Sequence, residues 1–448
     1  MSSATPANSA HGVSDLIRLQ ICSVPQLTGI HMVRVLYLIE NGSYRFDHRA
    51  RREVCTLRDA GCKVVVICPA FDGESLRETM DGSVEIYRYR YPSFGKGFFG
   101  HLGEYGASLS CMSGLMAYIH AKHGFDVIHA VNPPDLLWIL VAPYKAMGKR
   151  FVFDHYDLNP ELFEDKFGGS KAMSVLPVVK AAEKASVQLA DHVISTNESY
   201  RQIAINRCGK DPDRVRVVRN GPDVSRFRLV EPDPECVALG DIVIGYLGNM
   251  NSQDGLDVFV EMARILRDEM GRDDIGYALV GSGDVMNDLI EWRAKHNLED
   301  KMKLCGRMSA EQFMPVLSAA HICVQPDPPS RLNNVSTMNK PMEYMALSKP
   351  VITFALKETM VTGGDVCQYV DGADPRDLAA KVVELADNPE LREELGRRGR
   401  ERVETILSWP HQAPNLLQIY EELFPGRIEW GNYSASACSA RDLMSLAA

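Results

Sequence analysis

Three things are missing from this sequence of 448 residues. No apolar run approaches the roughly 18 residues that cross a bilayer, and Met1 to Gly12 lacks the basic-then-apolar order of a secretory signal. The 11 cysteines show no CxxC spacing. Neither a zinc site nor a disulfide frame is therefore indicated, and Cys62, Cys68 and Cys323, inside apolar runs, read as reduced core thiols. Surplus positive charge is absent as well, since the net charge is -10. That argues against nucleic acid as a main partner and leaves room only for local basic patches against phosphate. The expectation is a cytoplasmic protein, at most peripheral at the inner face of the membrane.

What is present is globular, with 45% hydrophobic and 24% charged residues. The length suits two domains of ordinary size. Val33 to Ile39 reads as a buried strand, Asp47 to Ala60 as a helix stopped by Gly61, and Lys63 to Cys68 as the next strand, which together make a βαβ unit. Strands at Val84 to Tyr89, Val127 to Ala130, Arg150 to Asp154, His192 to Thr196 and Val215 to Val218 continue the alternation with helices. It restarts at Asp241 to Leu247, with further strands at Ile275 to Val280, Met302 to Cys305, His321 to Gln325 and Val351 to Phe354. The fold class is α/β, with two doubly wound Rossmann-like domains facing across a cleft, where open sheets bind ligands.

The expected boundaries are an extension at 1–30 without order, a first Rossmann-like domain at 31–222, and a Pro- and Asp-rich linker at 223–239. A second Rossmann-like domain follows at 240–408, then a helix at 409–424 returning to the first domain, and a tail at 425–448.

One stretch concentrates the chemistry, running from Ser336-Thr337-Met338-Asn339-Lys340-Pro341 to Met342-Glu343-Tyr344-Met345. Proline is tolerated only in the first turn of a helix, so the helix starts near Thr337 to Asn339, with Asn339 the natural cap. Free amides, the helix dipole and Lys340 suit a diphosphate, and Glu343 suits sugar or ribose hydroxyls. The plain alternative is a capped surface helix with a solvated Glu343.

Taken in order, several pieces resemble the GT-B glycosyltransferases of family 4, and the resemblance covers roughly 32–424. They are Asp47-His48-Arg49-Ala50-Arg51-Arg52-Glu53, His129 with Asn132-Pro133-Pro134-Asp135, Asp154-His155-Tyr156-Asp157, Asn220-Gly221, Gly281-Ser282-Gly283, and Glu343-Tyr344-Met345-Ala346 before Lys349-Pro350-Val351. The resemblance implies a retaining enzyme without an enzyme nucleophile, a cofactor or a metal, whose substrate is a nucleotide-diphosphate sugar. By the same resemblance His155 is the histidine that touches the donor sugar, with Tyr156 in that place under a one-residue shift, and His155 and Asp157 polarise or orient. Glu343 matches the ribose-holding glutamate, Gly248 the segment near the diphosphate, and Gly281 and Gly283 the loop under the base. Asp47, Arg49, Asn132 and Asp135 fall on the acceptor side.

Three charged anchors of the family are absent. Asn249 stands where arginine is usual, Asp254 where lysine is usual, and Val335 where the first of two glutamates is usual. Lys340, Arg307, Arg331 and the amide-rich entry are the substitutes in sight for the diphosphate. Bacterial family-4 enzymes of exopolysaccharide assembly look similar here, with Asn334 or Asn333 and Ser336 doing the sugar-recognition work of the absent glutamate and Thr337 beside them in the donor site. The implied function is hexose transfer to a lipid-linked saccharide or other glycan of a surface polysaccharide. The loop Tyr91 to His101, rich in Phe and Gly, suits a polyprenyl-linked acceptor or a membrane surface. Alternatives are a non-catalytic GT-B subunit that binds a nucleotide sugar, and a nucleotide-sugar epimerase of the same architecture.

Overall fold

The computed structural model describes residues 32–71, 73–91, 98–168 and 171–430. The predicted extension at 1–30, residues 431–448 of the tail and 92–97 of the aromatic loop lie outside them. No described helix is long and apolar enough to cross a membrane.

The first sheet is built from β1 (Arg34–Leu38), β2 (Lys63–Ala70), β3 (Arg77–Met80), β4 (Val84–Arg90), β5 (Val127–Val131), β6 (Arg150–His155), β7 (His192–Ser195) and β8 (Val215–Val217). Their spatial order is β3-β4-β2-β1-β5-β6-β7-β8. Only the β3–β4 pair is antiparallel. The second sheet holds β9 (Ile242–Leu247), β10 (Ile275–Val280), β11 (Met302–Gly306), β12 (Ile322–Gln325), β13 (Val351–Phe354) and β14 (Cys367–Val370) in the order β11-β10-β9-β12-β13-β14. All its pairings are parallel. Both are doubly wound, and strand order reverses between β1 and β5 and between β9 and β12, the places where such sheets bind ligands.

The strands are near-continuous apolar runs because both faces are covered. In β1, Val35 and Tyr37 enter one core while Leu36 and Leu38 enter the other. The helix Trp409–Leu423 supplies Trp409, Ala413, Leu416 and Tyr420 to the first of these cores. It is fastened there by Trp409 Nε1 donating to Thr56 Oγ1 at 2.9 Å and by the Tyr420 hydroxyl 2.9 Å from His129 Nδ1.

Several local expectations change. Asn339 is the first helical residue of Asn339–Ala346 rather than its cap, and Met338 holds the cap position without a side-chain bond. The Asn339 side chain instead meets Asn220 across the domains. Within the stretch read as linker, Asp233 caps a single turn, Pro234–Val237, which sinks Cys236 into the second domain. β3 and β14 are additional, each too short to leave a periodic signal. Among the described residues eight cysteines are free, including Cys62, Cys68 and Cys323 as expected, while Cys55 is disulfide-bonded, which the sequence did not indicate.

Candidate active site

The loops leaving β9, β10 and β12 converge with the start of the helix Asn339–Ala346. Gly281, at φ +146, allows the closest approach: a Cβ there would lie 1.9 Å from the Gly248 carbonyl oxygen. A Cβ on Gly283 would lie 2.3 Å from that of Met250. Met250 N donates to Ser282 O at 3.1 Å, which ties the two loops together. A Cβ on Gly248 would meet Lys340 Cε at 2.5 Å, so the lysine stem runs directly beneath this turn. Asn249 is exposed at its tip.

Lys340 is not the free cation expected from the sequence. Its ammonium is buried, 2.7 Å from Asp254 Oδ1 and 2.9 Å from Asp327 Oδ1, and 5.4 Å from the centre of the Tyr246 ring. Burial opposes its charge, but the two carboxylates raise its pKa. Asp254 follows β9 and Asp327 follows β12, so this ion cluster occupies the switch point of the second sheet. Asp327 escaped the sequence reading; the only signal was a carboxylate just past a buried strand, in Gln325-Pro326-Asp327-Pro328-Pro329.

One helical turn further, Glu343 is half-buried and makes no hydrogen bond or ion pair through its carboxylate among the described residues. Burial pushes its pKa up to about 7, while Arg52, Lys340 and Arg226 pull it back. Arg52 belongs to the helix His48–Asp59 of the first domain and Arg226 to the connection between domains. Glu343 therefore faces the cleft.

On the first domain, Asp157 is likewise half-buried without a side-chain partner, its pKa raised to about 7 by burial and then by Asp135, with His155 acting against. His155 itself is turned inward. It is fully buried, with Nε2 3.1 Å from Glu183 Oε1, and Glu183 also binds Arg207. Burial lowers the imidazole pKa, but Glu183 more than offsets this and raises it. That geometry contradicts a contact between His155 and a sugar in the cleft. The neighbouring Tyr156 points to the opposite domain: Asn220 Nδ2 donates to its hydroxyl at 3.4 Å and to Asn339 Oδ1 at 3.1 Å.

All four acceptor-side residues are also structural. Arg49 is buried against Asp154 at 2.9 Å and Glu53 at 3.0 Å. Asn132 Oδ1 accepts from the backbones of Tyr156 and Asp157, and its amide donates to Asp135 Oδ1 at 2.8 Å. Asn132 and Asp135 are both buried. Asp47 caps its helix by accepting from Ala50 N at 2.9 Å. Among the described residues one group has metal-ligand spacing, Glu53 with His129 and Asp154, and the Arg49 guanidinium is bonded to both of its carboxylates.

The segment read as sugar-recognising is largely a seam between domains. Asn197 Nδ2 donates to Val335 O and to Thr337 Oγ1, each at 2.9 Å. The Tyr200 hydroxyl lies 3.0 Å from Ser336 Oγ. Val335 packs with Leu158, Leu162, Tyr200, Ile203 and Leu332. Arg331, offered above for phosphate, pairs with Glu164 at 3.1 Å. Asn333 is buried, donating to Gln253 O and Pro328 O, and Asn334 accepts from Lys357 N at 2.8 Å. Arg307 is exposed past β11.

Comparisons with known proteins agree with this architecture. The Glycosyltransferase Family 4 pattern matches residues 49–226 and the Glycosyl transferases group 1 pattern residues 241–388. An uncharacterized glycosyltransferase of Methanocaldococcus jannaschii is 28% identical over 188 residues, which are 41% of this chain and 49% of that relative. The chain thus spans about half the length of that relative. Sucrose-phosphate synthase from Thermosynechococcus elongatus superposes with a TM-score of 0.68 at 18% identity, over 88% of this chain and 99% of the other. Anabaena HepE, solved in complex with UDP-glucose, does so with a TM-score of 0.61 at 14% identity, over 88% and 99%. At these identities the structural likeness shows the fold alone.

Proposed function

The chain belongs to the glycosyltransferases of family 4 type and GT-B fold, and on that premise we propose that it moves a hexose, with retention, from a nucleotide-diphosphate sugar to a lipid-linked saccharide or other glycan. The observation that carries this reading is Glu343, a carboxylate without a hydrogen-bond or ion-pair partner among the described residues that faces the cleft beside the switch point of the second sheet. A vicinal diol of ribose or sugar offers the two hydroxyl donors that such a carboxylate accepts. The UDP-glucose bound to HepE supports a nucleotide sugar as the donor class.

In the proposed reaction the acceptor hydroxyl oxygen bonds to the sugar C1 as the C1–O bond to the diphosphate breaks. The hydroxyl proton passes to the departing phosphate oxygen on the same face. No enzyme nucleophile takes part, so the rate enhancement comes from positioning and electrostatic stabilisation. Asp157 and Tyr156 are the side chains placed to orient sugar or acceptor; His155 supports them from behind. Incubation with labelled nucleotide sugars and polyprenyl-linked or free glycans tests this. Net transfer with an unchanged anomeric configuration by NMR supports it, and transfer with inversion overturns the retaining step.

A second reading has one observation in its favour. Two carboxylates against one ammonium leave the Asp254–Asp327–Lys340 corner with net negative charge, where the family resemblance implies cations. A non-catalytic subunit that binds a nucleotide sugar would tolerate that, and hydrolysis or transfer of the bound sugar discriminates the two.

A further inference from the structure

Buried cations in this cleft are neutralised one by one, with two exceptions. Arg49 pairs with Asp154 and Glu53, Arg51 with Asp81, Arg219 with Glu358, and Lys340 with Asp254 and Asp327. Arg52 and Arg226 have no such carboxylate among the described residues. Arg52 stacks over the Trp409 ring at 5.6 Å and donates from Nη2 to Asn220 Oδ1, while its Nε is buried without a hydrogen-bond partner. Arg226 donates from Nη1 to His48 Nδ1 at 3.2 Å.

The two guanidiniums act on each other and on their surroundings. Burial first, then Arg49 and Arg226, bring the Arg52 pKa down to about 10. His48, one turn before Arg52 and exposed, accepts from Arg226 as a neutral ring, the form that two neighbouring guanidiniums favour. Like charges crowded in a half-buried site are unfavourable unless something of opposite sign is brought in. Glu343, on the facing helix, makes an ion pair with neither of them.

We infer that Arg52 and Arg226 form the anion site for the diphosphate of the donor, replacing from the first domain and the interdomain connection the cations missing at Asn249 and Asp254. The inference rests on the donor reading above and deepens it. Trp409 and Asn220 hold Arg52 in place, and Nη1, without a hydrogen-bond partner among the described residues, is the part of its planar fork available to phosphate oxygens. The diphosphate then lies between Glu343 and the first domain. It bridges the domains, and Lys340 serves as a neutralised strut under Gly248.

The test uses calorimetry on the full chain with inorganic pyrophosphate, with UDP, ADP, GDP and dTDP, and with the corresponding nucleosides. Arg52→Gln and Arg226→Gln are each expected to weaken the bound diphosphate by about tenfold or more, the scale of hydrogen bonds to charged groups. Nucleoside affinity stays within about twofold of wild type. Arg52→Lys restores part of the loss, and Arg397→Gln, on an exposed cation of the helix Pro389–Arg402, changes neither. Circular dichroism and melting temperature confirm that each variant is folded. Unchanged diphosphate affinity in folded Arg52→Gln and Arg226→Gln overturns the inference, as does an equal loss of nucleoside and diphosphate. Arg52-dependent binding of pyrophosphate without binding of any nucleoside diphosphate supports the anion site while overturning the donor reading. If folded wild type binds none of these probes, both fall.

Discussion

Lys340 Nζ sits 2.9 Å from Asp327 Oδ1, with Asp254 Oδ1 at 2.7 Å on its other side. The three residues come from the loops after β9 and β12 and from the helix that follows, so one ammonium ties the switch point of the second sheet together. Breaking a buried ion cluster by removing one member strands the others without compensation. Lys340→Met is therefore expected to destabilise the fold by about 3–5 kcal/mol. Adding Asp327→Asn should return part of it. Urea titration of the single and double variants checks this, and a Lys340→Met protein of wild-type stability would contradict the cluster's role.

Glu343 and Asp157 give stability an uncommon pH dependence. Their ordinary values are 4.5 and 3.8, and both are raised to about 7 in the fold. Between those limits the folded state holds more protons than the unfolded chain, so stability from these groups is present at low pH and lost as pH rises toward about 7. Melting temperatures from pH 4 to pH 8 should show this decline in wild type and a flatter profile in Glu343→Gln with Asp157→Asn.

Much of the fold can be read along the chain, because its signals are local. Val351-Ile352-Thr353-Phe354 is β13 to the residue, and Asp374 accepts from Arg376 N at the start of the helix Pro375–Ala386, an Asp-Pro entry that a sequence displays openly. The site was far less legible. Asp254 and Lys340 are 86 positions apart, and nothing local in either residue announces the other. The same holds for His155 and Glu183, 28 positions apart, whose pairing turns the histidine away from the cleft. Asn339 looked like a cap because its partner, Asn220, lies 119 positions away.

Val335 stands where the resemblance implies a glutamate, and its neighbours explain why a carboxylate does not suit this seam. Val335→Glu would place a charge beside Leu158, Leu162 and Leu332. A loss of about 1–3 kcal/mol is expected, the cost of an unsatisfied polar group, and no gain in donor affinity. Stability and nucleotide titrations on this variant decide it, and tighter donor binding would contradict the seam.

Gly281 is constrained on two counts, by its φ of +146 and by the Gly248 carbonyl oxygen 1.9 Å from where a Cβ would stand. Gly281→Ala should force the two loops apart, lowering stability by about 1–3 kcal/mol and weakening nucleotide binding as well. Hydrogen exchange at Met250 N, which donates to Ser282 O, reports the separation directly.

Calorimetry of wild type and Glu343→Ala across a panel of nucleotide sugars tests directly whether Glu343 holds the donor in the cleft. One of them is expected to bind wild type and to bind Glu343→Ala about tenfold or more weakly, in line with hydrogen bonds to a charged group. A folded wild type that binds none of the panel, or equal affinity in both proteins, would contradict it.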